Sequence, residues 1–139
     1  MSRSGNDRME ELVALAMQVR ERAYAPYSGY SVGCALVADG AVYQGANVEN
    51  ASYGLALCAE RSAMAAAVAG GARTVQEVAV VTQSSPPAAP CGMCLQTLTE
   101  FAEDPAAVRV HLVNPDGERR TVTLAECLPY GFRRDQLRH

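Results

Sequence analysis

The stretch CAERSAMAAAVAGGARTVQEVAVVTQSSPPAAPCGMC, residues 58–94, decides the architecture. Its opening belongs to an alanine-rich segment, Leu57 to Ala69, that reads as a helix with Gly70-Gly71 as its C-terminal stop. Val75 to Thr82 is almost wholly apolar, the mark of a strand buried on both faces of a sheet. Gln83 to Pro90 holds three prolines and two serines, so it reads as a loop that delivers Cys91. Cys91 to Ala102 then reads as a second helix.

Working upstream, Ser31 to Ala38 and Ala41 to Gly45 are short apolar runs separated by Asp39-Gly40. An Asp-Gly pair between such runs predicts a tight hairpin. Ala46 to Gly54 is polar and irregular, and reads as a loop. Met9 to Arg22 carries apolar residues at 9, 12, 13, 16, 17 and 19, near helical spacing, and the expected helix stops before Tyr24-Ala25-Pro26. Residues 1–7 read as a mobile lead-in. Downstream, Val108 to Val113 and Glu118 to Thr123 are expected strands joined by Asn114-Pro115-Asp116-Gly117, and Leu124 to Cys127 is one helical turn before the tail. The order predicts a single domain, residues 1–139, built on one five-stranded sheet with helices on its faces.

Composition narrows the chemistry. Apolar residues make up 49% of 139, enough for a core without disulfides. No run approaches the roughly 18 apolar residues of a membrane span, and the N-terminus lacks the apolar stretch of a secretory signal. The expected location is the cytoplasm, with no membrane partner. Net charge is −3, which argues against a nucleic-acid partner. All 12 basic residues are arginine, so Schiff-base chemistry by a lysine is excluded. The five cysteines are an odd set, in a compartment that keeps thiols reduced.

Cys58-Ala59-Glu60 and Pro90-Cys91-Gly92-Met93-Cys94 each sit where a loop gives way to a helix. Unpaired N–H groups and the helix dipole lower a thiol's pKa there. Cys91 and Cys94, three apart, share a helical face, and Cys58 completes a three-thiolate zinc site if the two helix starts adjoin. Three protein ligands leave a fourth position for water, which marks a catalytic site rather than a structural one. Glu60 reaches that position without being a ligand.

These motifs resemble the zinc-dependent cytidine deaminases of the small, homotetrameric kind, a pattern with a Cys₃ site and a non-ligand glutamate. The resemblance rests on Tyr24-Ala25-Pro26-Tyr27-Ser28, Val32-Gly33, Gly45-Ala46-Asn47-Val48-Glu49-Asn50-Ala51-Ser52-Tyr53, Cys58-Ala59-Glu60-Arg61, Pro90-Cys91-Gly92-Met93-Cys94-Leu95-Gln96 and Leu128-Pro129, in that order. It runs from about Leu12 to Leu137. It implies a three-layer α/β/α sandwich around a mixed five-stranded sheet, and one Zn²⁺ per subunit held by Cys58, Cys91 and Cys94. It implies hydrolysis of cytidine or 2′-deoxycytidine to uridine or deoxyuridine and ammonia, by a zinc-activated water with Glu60 as proton shuttle. It implies substrate contacts from Asn47, Val48 and Glu49 toward the ribose, from Tyr30 as an aromatic wall, from the Ala59 N–H, and from Phe132 reaching a neighbouring subunit's site. Arg61 is expected beside the thiolates. Leu95 departs from the family, which commonly has arginine there. The site is therefore expected to be less charge-compensated, with weaker water activation.

Rival readings attach to the same residues. Cys91 and Cys94 could be a redox pair, or the cysteines could hold structural zinc with Cys34 or Cys127 as a fourth ligand. Those two cysteines otherwise read as small core residues. Asn47 and Glu49 could cap a loop, Tyr30 could be core and Phe132 a tail anchor. His111 and His139 have no partner at ligand spacing and read as incidental. A deaminase of blasticidin-type nucleosides and a non-catalytic zinc-stabilised scaffold are the alternatives at the level of function.

Overall fold

The computed structural model describes residues 5–137. Helix α1 spans Gly5–Arg20, β1 Gly33–Ala38, β2 Ala41–Ala46, α2 Ala59–Ala69, β3 Val75–Val81, α3 Gly92–Glu100, β4 Arg109–Val113, β5 Arg119–Thr123 and α4 Leu124–Cys127. Short 3-10 turns lie at Tyr53–Leu55 and Arg134–Leu137.

The five strands form one sheet in the order β2-β1-β3-β4-β5. The β3–β4 pair is parallel and the other three pairs are antiparallel. A parallel pair needs a crossover connection, and α3 supplies it. The apolar run at Val75 is the middle strand, as its composition predicts. The Asp39-Gly40 hairpin is present, with both residues at positive φ (49° and 82°), the geometry of a two-residue primed turn.

Side-chain alternation divides the core into two layers. Cys34, Leu36, Ala38, Val78 and Val80 face α2 and α3, while Ala35, Val37, Ala79 and Val81 face the α1 stripe of Leu12, Val13 and Ala16. The fold is therefore the expected three-layer sandwich with a mixed sheet. Burying a side chain such as Leu12 or Leu98 stabilises by roughly 1.5–3 kcal/mol. Cys34 is fully buried and Cys127 packs against the core, as expected of small apolar residues.

Two expectations need correction. Helix α1 begins at Gly5 and ends at Arg20, so residues 5–7 are helical rather than a lead-in, with Asp7 in the first turn and Arg20 in the last, where each complements the helix dipole. Residues 1–4 of that segment lie outside the described residues, as does His139. His111 is not incidental: it is 2% exposed on β4, its Nε2 lies 2.5 Å from Glu77 Oε2, and its Nδ1 lies 2.9 Å from Thr121 Oγ1. Arg109 also reaches Glu77, at 3.2 Å. The parallel register sets His111 opposite Ala79, within reach of Glu77 on the same face, and buried polar groups need such partners.

Candidate metal centre and active-site cavity

Cys58 and Cys91 are the N-cap residues of α2 and α3, both with extended backbone, and neither thiol makes a capping hydrogen bond. Both sulfurs are therefore free of their own helix ends. Helices α2 and α3 pack on one face of the sheet and bring their N-termini together. Among the described residues, Cys58, Cys91 and Cys94 form the one cluster able to hold a metal, their Sγ atoms all within 4.8 Å of one another. Cys91 and Cys94 are 3.5 Å apart. Tetrahedral zinc with Zn–S bonds near 2.3 Å requires sulfurs about 3.8 Å apart. The donor set fits zinc.

The sulfurs share charge unequally. Cys58 is held down to about 5, first by its hydrogen bond with Cys94 and then by the Arg61 guanidinium. Cys94 is pushed up, first by that same bond, then by burial and by the Glu60 charge. Three thiolates this close repel one another, so their joint ionisation calls for a cation among them. The protein supplies part of the compensation: Arg61 Nη2 lies 3.7 Å from Cys58 Sγ and 3.2 Å from the Ala56 carbonyl. Leu95 contributes none. It is 5% exposed and packs in the core between sheet and helices.

Glu60, in the first turn of α2, is 5% exposed. Burial raises its carboxyl to about 7, against a lowering hydrogen bond from its own backbone N–H, and the Cys58 charge raises it further. A carboxyl poised there exchanges protons readily at neutral pH.

These groups open into a cavity of about 380 Å³ lined by Ser28, Tyr30, Asn47, Glu49, Glu60 and Cys91 among others, within the usual range for small-molecule sites. Cys58 and Ala59 also line it, and Cys94 lies buried in α3. The opposite wall is held by bridges that tie Val48 to Tyr24 and to Leu57. Glu49 is clamped before any ligand arrives: Oε1 accepts the N–H groups of Tyr27 (2.9 Å) and Ser28 (3.1 Å), and Oε2 accepts the Ser28 hydroxyl. The hydroxyl bond is the first cause holding its carboxyl below the ordinary value. Asn47 accepts the Val32 N–H (2.8 Å) and donates to the Tyr30 carbonyl (2.9 Å), keeping one N–H and one lone pair for a ligand.

Two residues expected at the substrate stand outside this lining. Val48 spends its backbone on Leu57 and leaves its side chain half-exposed. Phe132 is 54% exposed, with its N–H and carbonyl bonded to the Gln96 amide, and its ring is not among the cavity walls. Thr82, Ala88 and Ala89, by contrast, line the cavity without having been singled out, and Ser28, Val32 and Pro90 line it from motifs that gave them no role. Ser28 lies in the Tyr24 to Ser28 motif, but its task depends on Glu49, 21 residues away.

Residues 6–110 match the family model described as the cytidine and deoxycytidylate deaminase zinc-binding region. The chain is 47% identical over 122 residues to a cytidine deaminase from Halalkalibacterium halodurans, covering 87% of this chain and 91% of that protein. It is 41% identical over 130 residues to a cytidine deaminase from Sporosarcina psychrophila, covering 93% and 94%. A crystal structure of cytidine deaminase from Burkholderia pseudomallei superposes with a TM-score of 0.83 at 45% identity, covering 88% of this chain and 98% of that one.

Proposed function

The chain belongs to the cytidine and deoxycytidylate deaminase zinc-binding family, and from that premise we propose that it hydrolyses cytidine, 2′-deoxycytidine or both to the uracil nucleoside and ammonia. The observation that carries this reading is the meeting of three cysteine sulfurs and a buried, near-neutral Glu60 at one end of a nucleoside-sized cavity.

Cys58, Cys91 and Cys94 hold the zinc, which, when bound, supplies Lewis-acid activation of a water molecule. Glu60 takes a proton from the attacking water, places it on ring N3, and later hands a proton to the departing N4 amine. A C4–O bond forms and the C4–N4 bond breaks, so water's oxygen stays on the ring and the amine leaves as ammonia. The Ala59 N–H, in the first turn of α2 and without a partner in its helix, donates to the base carbonyl in this reading. Glu49 accepts from a ribose hydroxyl, and Asn47 uses its remaining donor and lone pair there. Tyr30 forms the aromatic wall.

The chain works as a homotetramer in which Phe132 completes a neighbour's cavity. Support comes from the exposed apolar side chains of Tyr24, Tyr27, Tyr53, Leu55, Tyr130 and Phe132, and from the exposed Ala65, Ala66 and Ala69 on α2. No helix among the described residues is long and apolar enough to cross a membrane. The site's free cysteines suit the reducing cytoplasm, where we place the enzyme.

The test is a nucleoside panel followed by ultraviolet absorbance, with metal content measured on the same sample. One zinc per chain and conversion of cytidine or deoxycytidine is expected; zinc-loaded protein that converts neither would overturn the reading.

A further inference from the structure

Residues 83–90 form one wall of the cavity, through Ala88, Ala89 and Pro90, and lead straight into Cys91. They adopt neither helix nor strand, and side chains from elsewhere hold them. Asn114, 1% exposed at the end of β4, donates to the Ser84 carbonyl (3.0 Å) and to Glu118 Oε1 (2.8 Å). Glu118 Oε1 also accepts the Ser85 hydroxyl, at 2.5 Å. That anchors the loop from the sheet side. On the cavity side the contact is Tyr30, whose hydroxyl is hydrogen-bonded to the Ser84 hydroxyl. A second strap lies nearby: Arg20 donates to the Ser31 carbonyl (2.8 Å) and to Gln83 Oε1 (3.4 Å). The segment bearing Tyr30 and the loop bearing the opposite wall are thus tied twice.

We propose that the Tyr30 hydroxyl is a positioning group, which acts through Ser84 to set the distance between the aromatic wall and the 83–90 wall, and so the fit of the nucleoside. Tyr30 lines the cavity, and its hydroxyl is bonded to the loop at Ser84. Removing the hydroxyl leaves the ring in place and loosens the loop on its cavity side, while Asn114, Glu118 and Arg20 still hold it elsewhere. Substrate affinity then falls because the loop must be ordered at the moment of binding. Turnover is spared, because Glu60 and Cys94 stand on α2 and α3 and Cys58 and Cys91 cap those helices, which the core holds in place.

The inference rests on the nucleoside reading of the cavity, and a double-mutant cycle on the zinc-loaded full chain separates the two. Tyr30→Phe and Ser84→Ala each raise KM for cytidine about two- to tenfold, the worth of one hydrogen bond. Each leaves kcat within about twofold and zinc content unchanged, and each speeds amide hydrogen exchange in the 83–90 peptide. The double variant is no worse than the poorer single, because both substitutions break the same bond. Additive losses, or single variants with parental KM and exchange, would overturn the proposal. A parent chain that deaminates neither cytidine nor 2′-deoxycytidine defeats the functional reading instead, and the exchange arm still decides whether Tyr30 and Ser84 hold the loop.

Discussion

Gly45 of β2 lies against the backbone of α2: a Cβ added to it would stand 2.3 Å from the Ala63 amide nitrogen and 2.6 Å from the Ala59 carbonyl. Only a residue without a side chain permits this approach. It sets the height of α2 over the sheet, and Cys58 and Glu60 ride on the near end of that helix. Gly45→Ala is expected to destabilise the fold by about 1–3 kcal/mol through overpacking, and to lower turnover more than the stability loss alone explains. Denaturant unfolding and steady-state kinetics check this. An alanine variant as stable and active as the parent would show that β2 can back away from α2.

Glu60→Gln keeps the shape of a buried side chain but removes the proton carrier. Zinc content should stay near one per chain while kcat falls about 10²-fold or more. Metal analysis beside turnover separates this outcome from simple loss of the site. Near-parental turnover would remove Glu60 from the proton pathway.

Arg61 is the cation that the structure sets on the sulfurs, through Cys58. Arg61→Gln should weaken zinc affinity about 10- to 100-fold, measured by competition with a chromophoric chelator. Leu95→Arg replaces a buried core leucine with a cation. It is expected to lower the melting temperature, and gains in zinc affinity or turnover will show only if the guanidinium can swing out to the thiolates. A crystal structure of the variant with the guanidinium at the sulfurs, together with unchanged zinc affinity and turnover, would sink the idea of an under-compensated site.

Ser28 is the first cause of Glu49's lowered pKa. A folded pKa below the ordinary 4.5 means that the carboxylate's contribution is complete above 4.5 and is lost only as pH falls through the folded value. Ser28→Ala therefore should move the acid limb of kcat/KM for cytidine to higher pH, with little change near pH 7. A pH–rate profile identical to the parent's would mean that Glu49 does not touch the substrate or that Ser28 does not hold it.

The proposed tetramer gives the exposed Phe132 a task at a neighbour's cavity. Sedimentation equilibrium should give a mass four times that of the chain, and Phe132→Ala should raise KM while leaving the tetramer intact. A fully active monomer would rule out sharing of sites between subunits.

The sequence by itself determined the parts whose signals are local. Cys58, Glu60, Cys91 and Cys94 declare themselves because helix starts, thiol spacing and a neighbouring carboxylate all lie within a few residues. The Asp39-Gly40 hairpin, the central apolar strand and the turn at Leu124–Cys127 were legible for the same reason. The first turn of α1 was not, since Gly5, Asn6 and Asp7 carry no apolar periodicity and the pattern starts only at Met9. What tertiary structure alone decided are the contacts that join distant residues. Ser28 clamps Glu49 across 21 positions, Tyr30 meets Ser84 across 54, and Glu77 pairs with His111 across 34. It also decided that Val48 and Phe132 stand outside the cavity of their own chain, and that Leu95 points into the core. Local chemistry can be read from spacing, because chain geometry constrains near neighbours. Which remote groups become partners depends on sheet register and helix packing, and Gly45 against Ala63 shows how a single missing side chain sets that placement.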